Sequence, residues 1–332
     1  MLDVLCIGNA TIDVFLTIDE KNHHVKLDDQ TKELRFGHGE KIEIKKMDIC
    51  IGGNAANVAV GISRLGFKSA LVAEIGKDEF SQKIINHLEE EKVNLELLEQ
   101  IPSEASSLSV GINFKGDRTL FVEHIKRVHD FDYKKSKAKF MYLTSLGPLW
   151  EKAYEKALEY SEKNDLKLFL NPGTLQIEKR DSVVWQAISK SEVLFVNKEE
   201  AEELLYGKEI NLPSDSKNYV KKLLYGLKSL GAKIIVITDS KNGSYLTDEK
   251  GNDYFLNTVP CEIVEKTGAG DAYDSGFISA ILNGADVLEA MRWGTLNSAG
   301  VIGAVGAQKG LLTSKEIKEK LNLSDNLTPE LI

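Results

Sequence analysis

The sequence predicts an α/β protein: a parallel sheet covered by helices on both faces, with a small β-sheet lid. Three observations carry this. From about residue 139, short apolar runs alternate with helical patterns of roughly ten to fifteen residues, the rhythm of βαβ units. Polar clusters follow the apolar runs, where open α/β sheets place their ligands. Two polar β-rich stretches, about 14–48 and 106–124, do not fit that rhythm and read together as the lid. There is no repeat, low-complexity linker or composition break in the 332 residues, so one large domain fits better than two halves.

Leu2 to Gly8 reads as a buried strand, short, apolar and ended by glycine, with Asn9, Thr11 and Asp13 just beyond it. Residues 17–46 are polar and charged, with half-exposed β patterns such as Lys41-Ile42-Glu43-Ile44. His23, His24 and His38 lack a fourth partner at metal-ligand spacing and read as surface residues. Gly52-Gly53 opens a helix of small residues running to about Arg64 or Leu65, with Gly66 as its C-cap. Asn54 and Asn57 share a face at its start, and Asn54 reads equally well as an N-cap or as a ligand contact. Ser69–Ile75 is a strand and 79–92 an amphipathic helix. Leu108–Phe114 and Thr119–Val122 form a hairpin about Lys115-Gly116-Asp117-Arg118.

Strands then follow at 140–143, 167–170, 193–196 and 233–237, with helices at about 150–163, 181–190, after Asn197, and 216–230. Tyr245–Leu246 and Asp253–Leu256 read as short edge strands. The last two helices, about 270–283 and 286–305, are rich in Gly, Ala and Ser and so pack closely.

Apolar residues make up 42% of the chain, enough for a sizeable core, and the net charge is −9. That balance argues against a nucleic-acid or membrane-surface binder, which needs a basic face. Cys6, Cys50 and Cys261 are few and not at metal spacing. They read as small buried hydrophobes in a reducing compartment. The first apolar run is too short for a signal peptide and no run spans a membrane, so a cytoplasmic location is expected.

The stretch Thr267-Gly268-Ala269-Gly270-Asp271 carries the chemistry. Small residues let backbone N–H groups approach a ligand, and those at a helix start have no intrahelical partner. They can hold an anion. An aspartate there is awkward for a phosphate unless it takes a proton, which points to phosphoryl transfer with Asp271 as base. Asn9/Asp13, Asn171, Asn197/Glu200 and Thr238 each follow an apparent strand and are expected to converge on the same sheet edge.

Two signatures resemble the ribokinase-like (PfkB-type) carbohydrate kinases over nearly the whole chain. They are Gly52-Gly53-Asn54-Ala55-Ala56-Asn57-Val58-Ala59 with Leu65-Gly66, and Gly268-Ala269-Gly270-Asp271-Ala272-Tyr273 with Gly276. Asn197-x-x-Glu200 and Thr238 with Gly243 match further elements. The resemblance implies a single Rossmann-like kinase domain, residues 1–332, with the lid over the sugar. It implies that Asp13 binds substrate hydroxyls and that Gly52, Gly53, Asn54 and Asn57 line the same pocket. Asp271 would be the base, with Gly268, Ala269 and Gly270 completing the anion hole. Asn197, Thr238, Gly243 and Gly306 would border ATP, and Glu200 would help place Mg²⁺.

The chain departs from the family pattern in three places. Glu265-Lys266 replaces Asp-Thr, which puts K⁺ activation in doubt. Ser240 replaces a glycine of the nucleotide turn. Asn171-Pro172-Gly173 replaces a more polar segment, and Arg118, Lys126 and Arg127 are not assigned to the pocket. The acceptor reads as a sugar or a nucleoside. Phe15, Phe36 and Phe121 could stack on a base, but read better as lid core. A binding protein without turnover is disfavoured by Asp271. A dinucleotide oxidoreductase lacks its Gly-x-Gly-x-x-Gly after the first strand. Lid-to-lid homodimers are common among the kinases it resembles, and the polar β-pieces would suit one.

Overall fold

The computed structural model describes all residues except 116, 124, 134–135, 208–218 and 325. The first half runs β1 (Val4–Ile7), β2 (Thr11–Ile18), β3 (Val25–Leu27), β4 (Leu34–Phe36), β5 (Ile44–Gly52), α1 (Asn54–Arg64), β6 (Ser69–Gly76), α2 (Ser81–Glu90), β7 (Leu98–Ile101), β8 (Leu108–Phe114) and β9 (Asp117–Val122). It continues through β10 (Phe140–Leu143), α3 (Glu151–Lys163), β11 (Lys167–Leu170), α4 (Thr174–Lys179), α5 (Ser182–Lys190), β12 (Val193–Asn197), α6 (Lys198–Leu205), α7 (Tyr219–Lys228) and β13 (Ile234–Thr238). The last elements are β14 (Ser244–Thr247), β15 (Asp253–Leu256), α8 (Ala269–Leu282), α9 (Val287–Ile302), α10 (Ser314–Asn322) and β16 (Glu330–Leu331).

Ten strands make one sheet, ordered β16-β15-β14-β13-β12-β11-β10-β1-β6-β7. From β7 to β13 every neighbouring pair is parallel, and β14 to β16 add an antiparallel edge. Side chains alternate across a strand, and β1 shows the consequence. Val4 and Cys6 enter the core shared with α1 and α8, while Leu5 and Ile7 enter the core shared with α3 and α5. Both faces are therefore covered, as the apolar strand runs require.

The small sheet has the order β5-β2-β8-β9, with β2 and β8 parallel and the other pairs antiparallel. Its β2–β5 pair runs from Thr11 to Gly52, wider than the expected 14–48. Asp13 therefore sits within a strand of this sheet, not in a loop after β1. β3 and β4 form a separate two-stranded ribbon. Phe15 is fully buried, but Phe36 and Phe121 are exposed, so only Phe15 is core.

Helices and strands with little apolar content escaped the sequence reading. α10 buries only Ile317, and β7 is half polar. The C-terminal end of α9 stops at Ile302 rather than 305 because Gly303 caps it. Gly116 of the expected hairpin turn, and 216–218 of the expected helix, lie outside the described residues. Cys6 is buried as expected, but Cys50 is half-buried on an edge strand and Cys261 is exposed in the loop after β15. Among the described residues no helix is long and apolar enough to cross a membrane.

Candidate active site

The site is set by the close packing of α1 on α8. A methyl group on Gly61 would lie 2.3 Å from Ser275 Oγ, so only glycine lets the helices approach this far. Asn57 is one helical turn before Gly61 and Asp271 one turn before Ser275, so the same contact brings these two together. Asn57 Nδ2 donates to Asp271 Oδ2 at 2.7 Å. Gln308 Nε2 donates to Asn57 Oδ1 at 2.8 Å and fixes the amide's direction. Asn57 is only 4% exposed, so it positions Asp271 at least as much as it lines the pocket.

Asp271 lies in the first turn of α8. The N-cap, Gly268, has φ 75°, and a Cβ there would meet Ala307 at 2.4 Å. Glycine is thus required twice over. The N–H groups of Gly270 and Asp271 have no acceptor among the described residues, while that of Ala269 makes a long contact of 3.3 Å with the Lys266 carbonyl. Nothing lies within 4 Å of a Cβ built on Gly270, so this part of the helix start faces open space. Burial pushes the Asp271 carboxyl up to about 7; the Asn57 hydrogen bond opposes the shift, and the charges of Glu200 and Asp13 add to it.

That open space is a cavity of about 800 Å³. Asp13 lines it, accepting from Ser109 Oγ at 2.5 Å and Thr11 Oγ1 at 3.1 Å. Burial raises its pKa, and those hydroxyls partly offset this. Gly53 and Asn54 line the cavity too. Gly53, not Asn54, is the N-cap of α1, and no side chain caps that helix, so Asn54 is free to face the cavity.

Asn197 and Thr238 sit side by side in the β12–β13 register and line the other end of the cavity with Glu200. Asn197 and Glu200 form a capping box on α6. The Asn197 side chain accepts from Glu200 N at 2.8 Å, and Glu200 Oε2 accepts from Asn197 N at 2.9 Å. One Glu200 oxygen is thus committed to the helix start. Burial pushes the Glu200 carboxyl up to about 7, against its hydrogen bonds to Asn197. Among the described residues no three His, Cys, Asp or Glu side chains cluster as a metal site.

The family profile for pfkB family carbohydrate kinases matches residues 1–314. The chain belongs to the pfkB family of carbohydrate kinases. It is a phosphotransferase acting on an alcohol group. It is 27% identical over 293 residues to the 5-dehydro-2-deoxygluconokinase of Clostridium botulinum, covering 81% of this chain and 83% of that one. A Bacillus anthracis protein of the same name is 26% identical over 298 residues, covering 83% of this chain and 87% of that one. The fold matches Methanocaldococcus jannaschii nucleoside kinase with a TM-score of 0.75 at 20% identity, over 97% of this chain and 99% of that one. It matches Arabidopsis thaliana ribokinase, solved with ribose and ATP, with a TM-score of 0.75 at 17% identity, over 98% and 100% of the two chains.

Three expected site residues of this pfkB kinase do not line the cavity. Gly52 lies behind Asp13, and a Cβ on it would fall 2.0 Å from Asp13 Oδ2. Its role is to leave room for that carboxylate. Gly243, at φ 94°, shapes the turn into β14, where a Cβ would meet the Leu256 carbonyl. Gly306 N donates to Glu265 Oε2 at 2.9 Å, and Glu265 stands just before the Thr267–Gly270 loop in the sequence. The departures from the family pattern have structural accounts. Ser240 takes φ 48°, the left-handed conformation a glycine would adopt more cheaply. Buried Glu265 accepts from Thr267 and Gly306, with Arg118 Nη1 at 3.8 Å.

The sequence reading missed Asp274. It is 1% exposed, and its carboxylate accepts from Asn171 Nδ2 at 2.7 Å and Tyr142 Oη at 2.8 Å. Burial lifts its pKa well above the usual range. The available signal was its position three residues after Asp271, on the same helix face.

Proposed function

We propose that this kinase transfers the γ-phosphoryl group of ATP to a hydroxymethyl group of a sugar or sugar-like acceptor, with Asp271 as general base. The observation that carries this reading is the pairing of Asp271, oriented by Asn57, with free N–H groups at the same helix start, in one cavity with Asp13. Asp13 accepts hydrogen bonds from acceptor hydroxyls and holds the reacting one near Asp271. As the acceptor oxygen bonds to phosphorus and the bond to ADP breaks, Asp271 Oδ takes the hydroxyl proton. The N–H groups of Gly270 and Asp271, joined by Ala269, hold the phosphoryl oxygens. Preorganised donors suit a loose transition state, which needs charge stabilisation more than covalent help.

ATP would lie toward Asn197, Thr238 and Glu200, with Gly243 and Gly306 supporting its border. Mg²⁺ would supply charge neutralisation on the triphosphate, and the free oxygen of Glu200 would reach it through water. Arg118 faces the Glu265 carboxylate, and Thr267 and Gly306 already engage its two oxygens. This supports turnover without K⁺.

The small sheet acts as the lid in this reading. Leu120 and Val122 line the cavity, and the exposed Phe121 alternates to the outer face. Met47, Phe121 and Ile49 on that sheet are 55%, 55% and 41% exposed, which supports a homodimer through the lid. Light scattering giving a monomer mass would remove that part. His129 and Phe195 are the only aromatic rings lining the cavity among the described residues, so no Phe, Tyr or Trp at the acceptor end offers a platform for a base. This favours a sugar over a nucleoside, in line with the names of the two 5-dehydro-2-deoxygluconokinases above though not with that of the nucleoside kinase.

The test is ADP release with a panel of sugars, sugar acids, sugar phosphates and nucleosides. Release dependent on a sugar-like acceptor is expected; release with none of them overturns the reading.

A further inference from the structure

Two buried polar atoms along the cavity lack a partner and are not used by the mechanism, Oε1 of Gln176 and, beside β6, Nε2 of His129. Nε2 of His129 has no hydrogen-bond partner, although the histidine side chain is only 6% exposed and lines the cavity. Its other nitrogen is fixed. Nδ1 lies 2.9 Å from Glu74 Oε2, and the Glu74 side chain is 5% exposed. A carboxylate only accepts, so Nδ1 carries a proton and Nε2 is the ring atom left to pair with a ligand.

Neighbouring Arg127 also lines the cavity, and three of its five N–H groups are paired within the protein. Nη1 donates to the Glu74 carbonyl at 2.8 Å and Nη2 to the Ala105 carbonyl at 3.2 Å, while Nε pairs with Glu104. Arg127 therefore braces the part of β6 that carries Glu74, and Nε2 of His129 is a buried atom left without a partner beside it.

The position assigns the ligand. Glu74 lies near the C-terminal end of β6, and the sheet order runs β12-β11-β10-β1-β6. Four strand spacings, roughly 19 Å, separate this end from Asn197 on β12. His129 thus lies far from the nucleotide end of the cavity. We propose that His129 is a specificity-determining residue whose Nε2 pairs with a neutral hydroxyl on the acceptor, remote from the hydroxymethyl group that is phosphorylated. A hydroxyl both donates and accepts, so it satisfies the ring in either protonation state. A carboxylate or phosphate would add negative charge beside Glu74 and Asp13, where the cation on this wall, Arg127, is already paired with Glu104.

This inference rests on the kinase reading above, and the experiment separates the two. ADP release is first measured for wild type with D-ribose, D-fructose, D-gluconate and adenosine. The best acceptor is then compared with its monodeoxy analogues in wild type, His129→Phe, His129→Gln and Gly147→Ala. The last places a methyl 3.2 Å from the Ile125 carbonyl and 3.7 Å from Nε2 without altering either member of the His129–Glu74 pair, and so serves if His129→Phe fails to fold.

Expected is a rise of about tenfold or more in acceptor KM for His129→Phe and Gly147→Ala, an unchanged KM for ATP, and partial rescue in His129→Gln. One deoxy analogue should be penalised by wild type and not by His129→Phe. If every analogue loses equally in wild type and His129→Phe, or if Gly147→Ala leaves the acceptor KM unchanged, the inference fails while the kinase reading stands. Preference for D-gluconate over the neutral sugars would also overturn it. Absence of ADP release from wild type would overturn both.

Discussion

Asn57 and Asp271 stand 214 residues apart in the chain and 2.7 Å apart in the fold, side-chain amide to carboxylate. The contact joins the two sequence signatures. It depends on the seat that Gly61 gives Ser275 one turn further along both helices.

Gly61→Ala should therefore act at a distance. The added methyl has to push α1 from α8, an overpacking cost of about 1–3 kcal/mol. Chemical denaturation should show that loss. Turnover should fall further than the stability loss explains, because Asn57 leaves Asp271. A variant as stable and as active as wild type would refute this coupling.

Gly52 and Asp13 should behave as a pair. Asp13→Ala removes the carboxylate, and Gly52→Ala displaces it, since the new Cβ would fall 2.0 Å from Asp13 Oδ2. Both should raise the acceptor KM by about tenfold or more with little change in the KM for ATP. If Gly52→Ala leaves the acceptor KM alone, Asp13 is not the acceptor's ligand.

Catalysis and stability should respond to pH in opposite directions. The base must be ionised, so kcat/KM should rise with pH through about 7, following Asp271. Burial raises this carboxyl above its unfolded value, so between about pH 4 and 7 the folded state binds more protons than the unfolded one. Its contribution to stability is then present at the acid end and lost as pH rises to about 7. Glu200 acts in the same sense. Asp271→Asn should melt higher than wild type at pH 8, with the gap closing toward pH 4. A constant gap in melting temperature would contradict the burial argument.

Metal dependence should separate the two functions of Glu200. EDTA should abolish turnover. Glu200→Gln keeps an acceptor for Asn197 N–H, so the α6 cap and the melting temperature should survive while the Mg²⁺ concentration for half-maximal rate rises severalfold. An unchanged Mg²⁺ requirement would leave Glu200 as a cap alone. Exchanging K⁺ for Tris should not alter the rate, since Arg118, Thr267 and Gly306 already engage Glu265.

The parallel sheet was legible because each of its strands reports its own burial locally, as at Val4–Ile7 and Ile234–Thr238. The small sheet was legible in outline, but its limits were not. Thr11 and Gly52 pair only because β2 and β5 meet across a long excursion, and local pattern carries no such register. At the site, Asp271 and Asp13 could be picked out by residue type and position. Asp274, Gln308 and His129 could not. Each matters through a buried partner distant in sequence, such as Asn171, Asn57 or Glu74. The Asn197–Glu200 spacing carried two meanings at once, a helix cap and a cavity wall, and only the three-dimensional structure reveals the cap's share.

The most direct test is the single-turnover rate of Asp271→Asn with saturating MgATP and acceptor. The amide keeps the size of the carboxylate and its contact with Asn57 but cannot take a proton. The account predicts a fall of about 10³-fold, with nucleotide affinity nearly unchanged. A rate within a few fold of wild type would contradict Asp271 as the base.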